Sequence, residues 1–377
     1  MTSALPPIVG SGDGQAEATP GPWRQTYAGT DTYPPMARAY SEVATVVREA
    51  GLMRRARWFY ALVGAAILVA FAGIITGVIL LGDSWFQLLM AAALGIVFTQ
   101  VAFLGHEAAH RTILVSGQNN DRLARVLSGL VGLSYAWWDS KHSRHHANPN
   151  KVEKDPDIDV DTISFLQEDA VQAKGIRRLV TMKQGWLFFP LLAFEGYNLH
   201  ALSLRYLLSK GPVKGRALEL SIIGARFALL GAAIFLIFPV GLALAFFAVQ
   251  LAVFGVYMGA SFAPNHKGMP IVSKHAKLDF FTKQVRTSRN VSGGWWATTL
   301  MGGLNYQVEH HLFPSMPRIH LARTREIVRE ACDTHGVPYT ETTLWKSYGI
   351  VIRYLNDVGL AARDPFECPM VSERARG

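Results

Sequence analysis

Residues 58–81 read WFYALVGAAILVAFAGIITGVILL, and residues 85–105 read WFQLLMAAALGIVFTQVAFLG. Neither run carries a charged side chain, and only Gly82-Asp83-Ser84 separates them. Crossing a bilayer takes about 20 apolar residues, so the two runs predict a transmembrane helical hairpin. A third apolar stretch, residues 227–263, is long enough for two spans and divides at Pro239-Val240-Gly241. The expected architecture is an all-α membrane protein with two hairpins and four spans, at about 58–81, 85–105, 220–238 and 240–262.

The rest of the composition agrees. Of 377 residues, 50% are hydrophobic and 17% charged, below the roughly 25% usual in soluble domains. Both inter-span turns lack Lys and Arg, so all 37 basic residues fall on one side, except Arg226 inside the third span. Basic residues stay cytoplasmic, which places both termini and the polar middle in the cytoplasm. Arg226 is expected to snorkel toward that surface or to mark a span that is short or starts later. The net charge of +9 is thereby explained by a membrane, and nucleic acid is not expected as a partner. Two cysteines, Cys332 and Cys368, exclude a disulfide scaffold and a CxxC metal site.

Residues 1–56 read as a flexible arm and cytoplasmic lead-in, 57–355 as the membrane domain, and 356–377 as a tail. Residues 106–219 and 263–355 form the expected cytoplasmic helical cap. Within it, Arg122–Trp138 and Trp186–Leu208 read as interfacial segments, the latter broken by Pro190. Arg318–His335 and Thr342–Val358 have helical spacing, each followed by glycine.

The chemistry lies in the histidines. Eight of twelve fall in four clusters: His106 and His110 in HEAAH, His142, His145 and His146 in HSRHH, His266 in APNHKG, and His310 and His311 in QVEHH. Residues four apart share a helix face, so His106 with His110, and His142 with His146, can grip one ion. In the two-hairpin arrangement all four clusters meet at one membrane surface, which predicts a metal centre. His275, His320 and His335 read as surface residues. HEAAH also matches the HExxH zinc-protease signature, with Glu107 as the base. A catalytic zinc needs three protein ligands and an open position; eight histidines suit two metals. Imidazole suits iron, zinc, copper and nickel alike.

HEAAH, HSRHH and NYQVEHHLFP resemble the three histidine boxes of the integral-membrane fatty-acid desaturases, and the likeness runs from about residue 57 to 355. Gln307 stands where stearoyl-CoA desaturases have His. The QxxHH form resembles the front-end branch and some bacterial acyl-CoA desaturases. The resemblance implies two irons held by His106, His110, His142, His145, His146, His266, His310 and His311. Gln307 occupies a ninth position, binding iron directly, through water, or only organising the site. Beyond these ligands no catalytic residue is expected. It further implies O2 as co-substrate, and a fatty-acyl lipid or acyl-CoA as the molecule that gains a double bond. A membrane di-iron hydroxylase of lipids, carotenoids or alkanes has the same ligand set.

Metal-bound histidines usually donate their other N–H to a carboxylate or carbonyl. Glu107, Asp155, Asp157 and Glu309 lie near the boxes in sequence and are candidates, as is Asn265. Glu195 and His200 are candidates for supporting the site or a substrate tunnel. Trp137, Trp138, Trp295 and Trp296 are candidates for that tunnel's wall. No HPGG-type cytochrome b5 core is visible, so electrons are expected from a ferredoxin, a free cytochrome b5 or a flavin reductase. Arginine outnumbers lysine 25 to 12, pointing to a GC-rich bacterial genome and its plasma membrane, with the endoplasmic reticulum as the alternative.

Overall fold

The computed structural model describes residues 37–363. The arm read for residues 1–36, and residues 364–377 of the tail with Cys368, lie outside the described residues. Among the described residues four helices are long and apolar enough to cross a membrane: Arg57–Leu81, Gln87–Ala109, Arg216–Ile237 and Val240–His266. At 1.5 Å per residue each exceeds a hydrocarbon core of about 30 Å. Their outer faces stay apolar, with Leu68, Val69, Ile79, Leu80, Leu229 and Leu236 exposed, as lipid contact requires.

Each hairpin closes for a local reason. In the first, the buried Gln87 side chain donates to Val78 O (2.8 Å) and Gly82 O (2.9 Å). It thereby satisfies carbonyls at the end of the preceding helix, which have no partner within that helix. In the second, Phe238 is extended before Pro239 and the next helix begins at Val240, the conformation a proline imposes on its predecessor. Spans two and four pack closely because Gly95 has no side chain. A Cβ there would meet the Gln250 carbonyl at 2.8 Å.

Several expectations change. The second and fourth spans run past their apolar stretches, to Ala109 and His266. His106 and His266 are therefore residues of the spans themselves, and His110 caps the second. Arg226 does not snorkel. It is 8% exposed, with its guanidinium 4.5 Å from the Phe227 ring centroid and 5.0 Å from that of Phe98. Such cation–π contacts compensate a desolvated guanidinium in place of water.

Arg122–Trp138 is not one interfacial segment. It belongs to two helices, Gly117–Leu130 and Tyr135–Ala147, that reverse at Gly132 in the left-handed region (φ 84°). The first descends along span two, where Gly105 faces Leu127 and Ser128. The second carries HSRHH back up. Glu219 anchors the reversal, accepting from Ser134 Oγ (2.6 Å), the Ala136 amide (3.2 Å) and Arg125.

The chain between Gln184 and Leu207 forms Gln184–Leu191, a 3-10 turn and Glu195–Leu207, each too short to span. Helix Leu321–His335 ends at left-handed Gly336 (φ 66°), as the sequence predicts. Leu344–Leu360 runs into the stretch read as tail, and Ala37–Glu49 is helical within the stretch read as lead-in. A parallel pair of short strands, Asn290–Ser292 and Glu341–Thr343, has no counterpart in the sequence reading. Cys332 is a buried free thiol.

Candidate metal centre

The four histidine clusters meet at one end of the bundle. Span two brings His106 and His110; helix Tyr135–Ala147 brings His142, His145 and His146. Span four ends on His266, and the short helix Gln307–Leu312 brings His310 and His311. The rings sort into two groups. His106, His110, His142, His146 and His310 offer nitrogens all within 4.8 Å of one another, and so do His145, His266 and His311. In the first, the Nε2 atoms of His106 and His110 lie 3.2 and 2.9 Å from His142 Nε2. In the second, His266 Nε2 lies 3.3 Å from His145 Nε2 and 3.1 Å from His311 Nε2. The stacked rings of His146 and His311, 4.2 Å apart, join the groups.

This arrangement fits a pair of metal ions. Among the described residues, His106 Nδ1, both ring nitrogens of His146 and His310 Nε2 are buried without a hydrogen-bond partner. Buried polar atoms are otherwise almost always paired. Burial, and then repulsion among neighbouring rings, holds His142, His146, His310 and His311 well below the usual imidazole pKa. They are thus neutral, the form that binds metal.

The three-histidine group is oriented from behind. His145 Nδ1 donates to Asp155 (2.9 Å), His266 Nδ1 to the Thr287 carbonyl (2.9 Å), and His311 Nδ1 to Gln284 Oε1 (2.9 Å). Each bond fixes the tautomer that leaves Nε2 free. Gln284 also donates to His146 O (2.8 Å), tying the second box to the third. Asp155 is held by the amides of Asn150 (2.6 Å) and Asp157 (2.9 Å). Asp157 lies 3.4 Å from His145 Nδ1 and pairs with Lys141 at 2.5 Å. Burial alone would lower the pKa of His145, but the Asp157 and Asp155 carboxylates outweigh it and raise it. Asp155→Asn is expected to weaken metal binding about 10–100-fold, measured by competition with a chelator. Unchanged affinity would show that Asp155 does not hold the ligand.

The other expected residues are not all at the centre. Glu107 turns away from the histidines. It accepts from Tyr60 OH (2.9 Å) and Arg318 Nε (3.2 Å), and Arg318 Nη2 closes the ion pair. Glu309 faces Asn290 (2.7 Å) and Tyr339 (2.8 Å), with its carboxyl pushed up to about 7 by burial. Both brace the histidine helices without touching a ring.

Asn265 and Gln307 do reach the centre. Asn265 Nδ2 donates to Gln307 Oε1 (3.1 Å), and Gln307 Nε2 lies 2.8 Å from His266 Nε2. Among the described residues Glu195 accepts from Asn198 Nδ2 (3.1 Å) and lies near the Lys141 ammonium. His200 contacts no box histidine. Its ring is a buried pin between helices, lying between the Val131 carbonyl (3.0 Å) and the Gly196 carbonyl, and a neutral imidazole donates its one N–H to one of them.

Trp138 stacks on His142 at 4.1 Å. Trp137 is only partly buried, and Trp295 and Trp296 are 82% and 44% exposed. They stand on the outer side of the short helix Gly294–Leu300, where an amphipathic ring anchors to an interface. His275 and His335 are exposed, and the partly exposed His320 bonds Arg54 O (3.1 Å).

Comparison with known proteins fits this geometry. The profile of the fatty acid desaturase family matches residues 83–343, a stretch running from the first hairpin turn through all three boxes.

The chain belongs to the fatty acid desaturase family.

This desaturase is 28% identical over 344 residues to Delta(8)-fatty-acid desaturase 2 of Arabidopsis thaliana, covering 87% of this chain and 76% of that protein. It is 31% identical over 256 residues to an acyl-lipid (8-3)-desaturase of Rebecca salina, covering 66% and 58%. It is 28% identical over 353 residues to a Delta 8-(E)-sphingolipid desaturase of Emericella nidulans, covering 88% and 64%. The chain is accordingly an oxidoreductase of lipid metabolism acting on acyl chains. The protease reading of HEAAH is overturned: Glu107 is buried against an arginine and cannot serve as a base for water.

Proposed function

We propose that this desaturase uses two irons and O2 to introduce a double bond into a long-chain acyl lipid or acyl-CoA, with electrons from a separate donor protein. The observation carrying this reading is the convergence of eight histidines, from four separate segments, into two adjacent groups. His106, His110, His142, His146 and His310 would hold one iron, and His145, His266 and His311 the other. When bound, the irons supply the oxidising power that removes two hydrogens from adjacent, unactivated acyl carbons.

The chain's own residues do the rest. Asp155, Gln284 and the Thr287 carbonyl hold the three-histidine group in one tautomer. Trp138 covers His142 on one side and limits water there. Every CH2 of an acyl chain is chemically alike, so the protein must select by position, through the path along which it holds the chain. The relatives named Delta(8) and acyl-lipid (8-3) favour front-end placement of the new bond and a lipid-borne chain over mid-chain placement.

The basic residues outside the membrane suit an acidic donor such as a ferredoxin, cytochrome b5 or flavin reductase. The same charge distribution supports a cytoplasmic location for both termini. Plant and fungal relatives weigh toward the endoplasmic reticulum, against the bacterial plasma membrane suggested by the arginine excess.

The test is expression in a host that supplies a ferredoxin or cytochrome b5, followed by gas chromatography–mass spectrometry of derivatives that locate double bonds. A new unsaturated acid is expected with the wild type and absent with His145→Ala. A hydroxy acid would move the reading to the hydroxylase alternative.

A further inference from the structure

Arg226 carries a charge into span three, two helical turns or about 10 Å beyond Glu219. Glu219 is the nearest acid along that helix, and Arg125 already pairs with it. An ionisable residue at such a depth normally faces the bundle interior and finds a partner there. Arg226 does face inward, at 8% exposure, yet its Nε and Nη2 have no hydrogen-bond partner among the described residues. Those two N–H groups form the edge by which a guanidinium grips a carboxylate or phosphate in bidentate fashion. Elsewhere in the chain that edge is filled: Arg318 holds Glu107 with it, and Arg325 holds Glu341. The rings of Phe98 and Phe227 offset part of the desolvation of Arg226, but they supply no oxygen to its N–H groups.

Other polar groups nearby are also unpartnered among the described residues. Gln250 of span four is 1% exposed, and neither its Oε1 nor its Nε2 is bonded. Its backbone meets span two at Gly95, one turn before Phe98. Ser203 Oγ is buried and unbonded too. It lies one turn beyond His200, whose ring is 5.3 Å from that of Phe227. Buried polar atoms are otherwise almost always paired, so three such side chains around one guanidinium point to a ligand. Phe227, which covers the guanidinium, is itself partly exposed, and Leu229 beside it is exposed on the outer face of span three. The cover of the site therefore faces hydrocarbon.

We propose that Arg226, with Gln250 and Ser203, forms an anion site inside the membrane for the oxyanion head of an amphiphile, a fatty-acid carboxylate or a lipid phosphate. Arg226 Nε and Nη2 donate to its oxygens, and Gln250 Nε2 and Ser203 Oγ supply further donors. The ligand enters sideways from the bilayer past Phe227 and leaves its tail among the spans. The site shares no residue with the metal centre and does not depend on which metal the histidines hold.

The test uses the full-length protein purified in detergent and stripped of lipid, with thermal unfolding and native mass spectrometry as readouts. The probes are oleate, dioleoyl phosphatidic acid and, as neutral control, dioleoylglycerol. At least one of the anions is expected to bind saturably and to raise the Tm, and dioleoylglycerol to do neither. Binding of oleate alone assigns a carboxylate, of phosphatidic acid alone a phosphate, and of both the shared oxyanion. Arg226→Met is expected to weaken that binding about 10–100-fold. Gln250→Leu, which removes no charge, is expected to weaken it about tenfold and decides alone where Arg226→Met does not fold. Binding of neither anion, equal binding of dioleoylglycerol, or unchanged affinity in either folded variant would overturn the site.

Discussion

With two irons held as proposed, His266→Ala is expected to release about one of them and to abolish desaturation, while His110→Ala keeps both more weakly bound. The difference follows from ligand number. His266 belongs to the group of three, so its loss leaves two imidazoles, fewer than the three protein ligands a catalytic site ordinarily uses. His110 belongs to the group of five, so its loss leaves four. His266 Nε2 also lies within 3.3 Å of both other nitrogens of its group, making it the central member. Metal assistance contributes several kcal/mol to a barrier, and each 1.36 kcal/mol is tenfold in rate. The activity of His266→Ala should therefore fall at least about a hundredfold. Iron analysis of both purified variants, with product analysis in the same preparations, checks the contrast. Equal iron in the two would contradict the division into five and three.

The histidines were legible in the sequence because metal chemistry restricts residue type and helix geometry restricts spacing. His106 with His110 and His142 with His146 sit one helical turn apart, and that interval survives in any fold that keeps the helix. The four spans were legible for a similar reason, since lipid demands long apolar runs. Their ends were less so. Hydropathy stops at Gly105, but the backbone needs no apolar side chains to continue its hydrogen bonds, so the helix runs on through the first box.

Supports of the centre were harder to find. His266 is oriented by the backbone carbonyl of Thr287, and a carbonyl has no sequence signature. Gln284 lies 27 residues from His311, in a stretch without a motif. Closeness in sequence succeeded for Asp155, ten residues from His145, where one tight loop connects the two. It does not do so for Glu107, which adjoins His106 in the chain but points off the face that carries His106 and His110, toward Tyr60 and Arg318. Nor does it do so for His200, whose buried ring lies between the Val131 and Gly196 carbonyls and contacts no box histidine. Arg318 could have been suspected from its place in FPSMPR, directly after the third box, but Tyr60 lies in an apolar run that shows no sign of its partner.

That Tyr60–Glu107–Arg318 triad sets up the second large effect. Arg318→Met is expected to destabilise the protein by about 3–5 kcal/mol, the usual result of removing one partner from a buried ion pair. The side chains of Arg318 and Glu107 are 4% and 7% exposed, so water cannot replace the lost guanidinium. Burial alone would lower the pKa of Arg318, but the Glu107 carboxylate outweighs it and raises it. The backbone N–H of Arg318 also donates to Tyr60 OH (3.2 Å), so the triad links span one, the first box and the chain leaving the third. Glu107→Gln with Arg318→Met should recover much of the loss, because replacing both ions with neutral groups of similar size is often nearly neutral. Thermal unfolding in detergent, with bound iron measured alongside, tests both steps. If the double variant is as unstable as Arg318→Met alone, the arginine contributes packing and not charge compensation. If instead the stability returns and the irons return with it, the ion pair acts by holding the first and third boxes in register, and the glutamate of HEAAH has a structural part in this centre with no part in proton transfer.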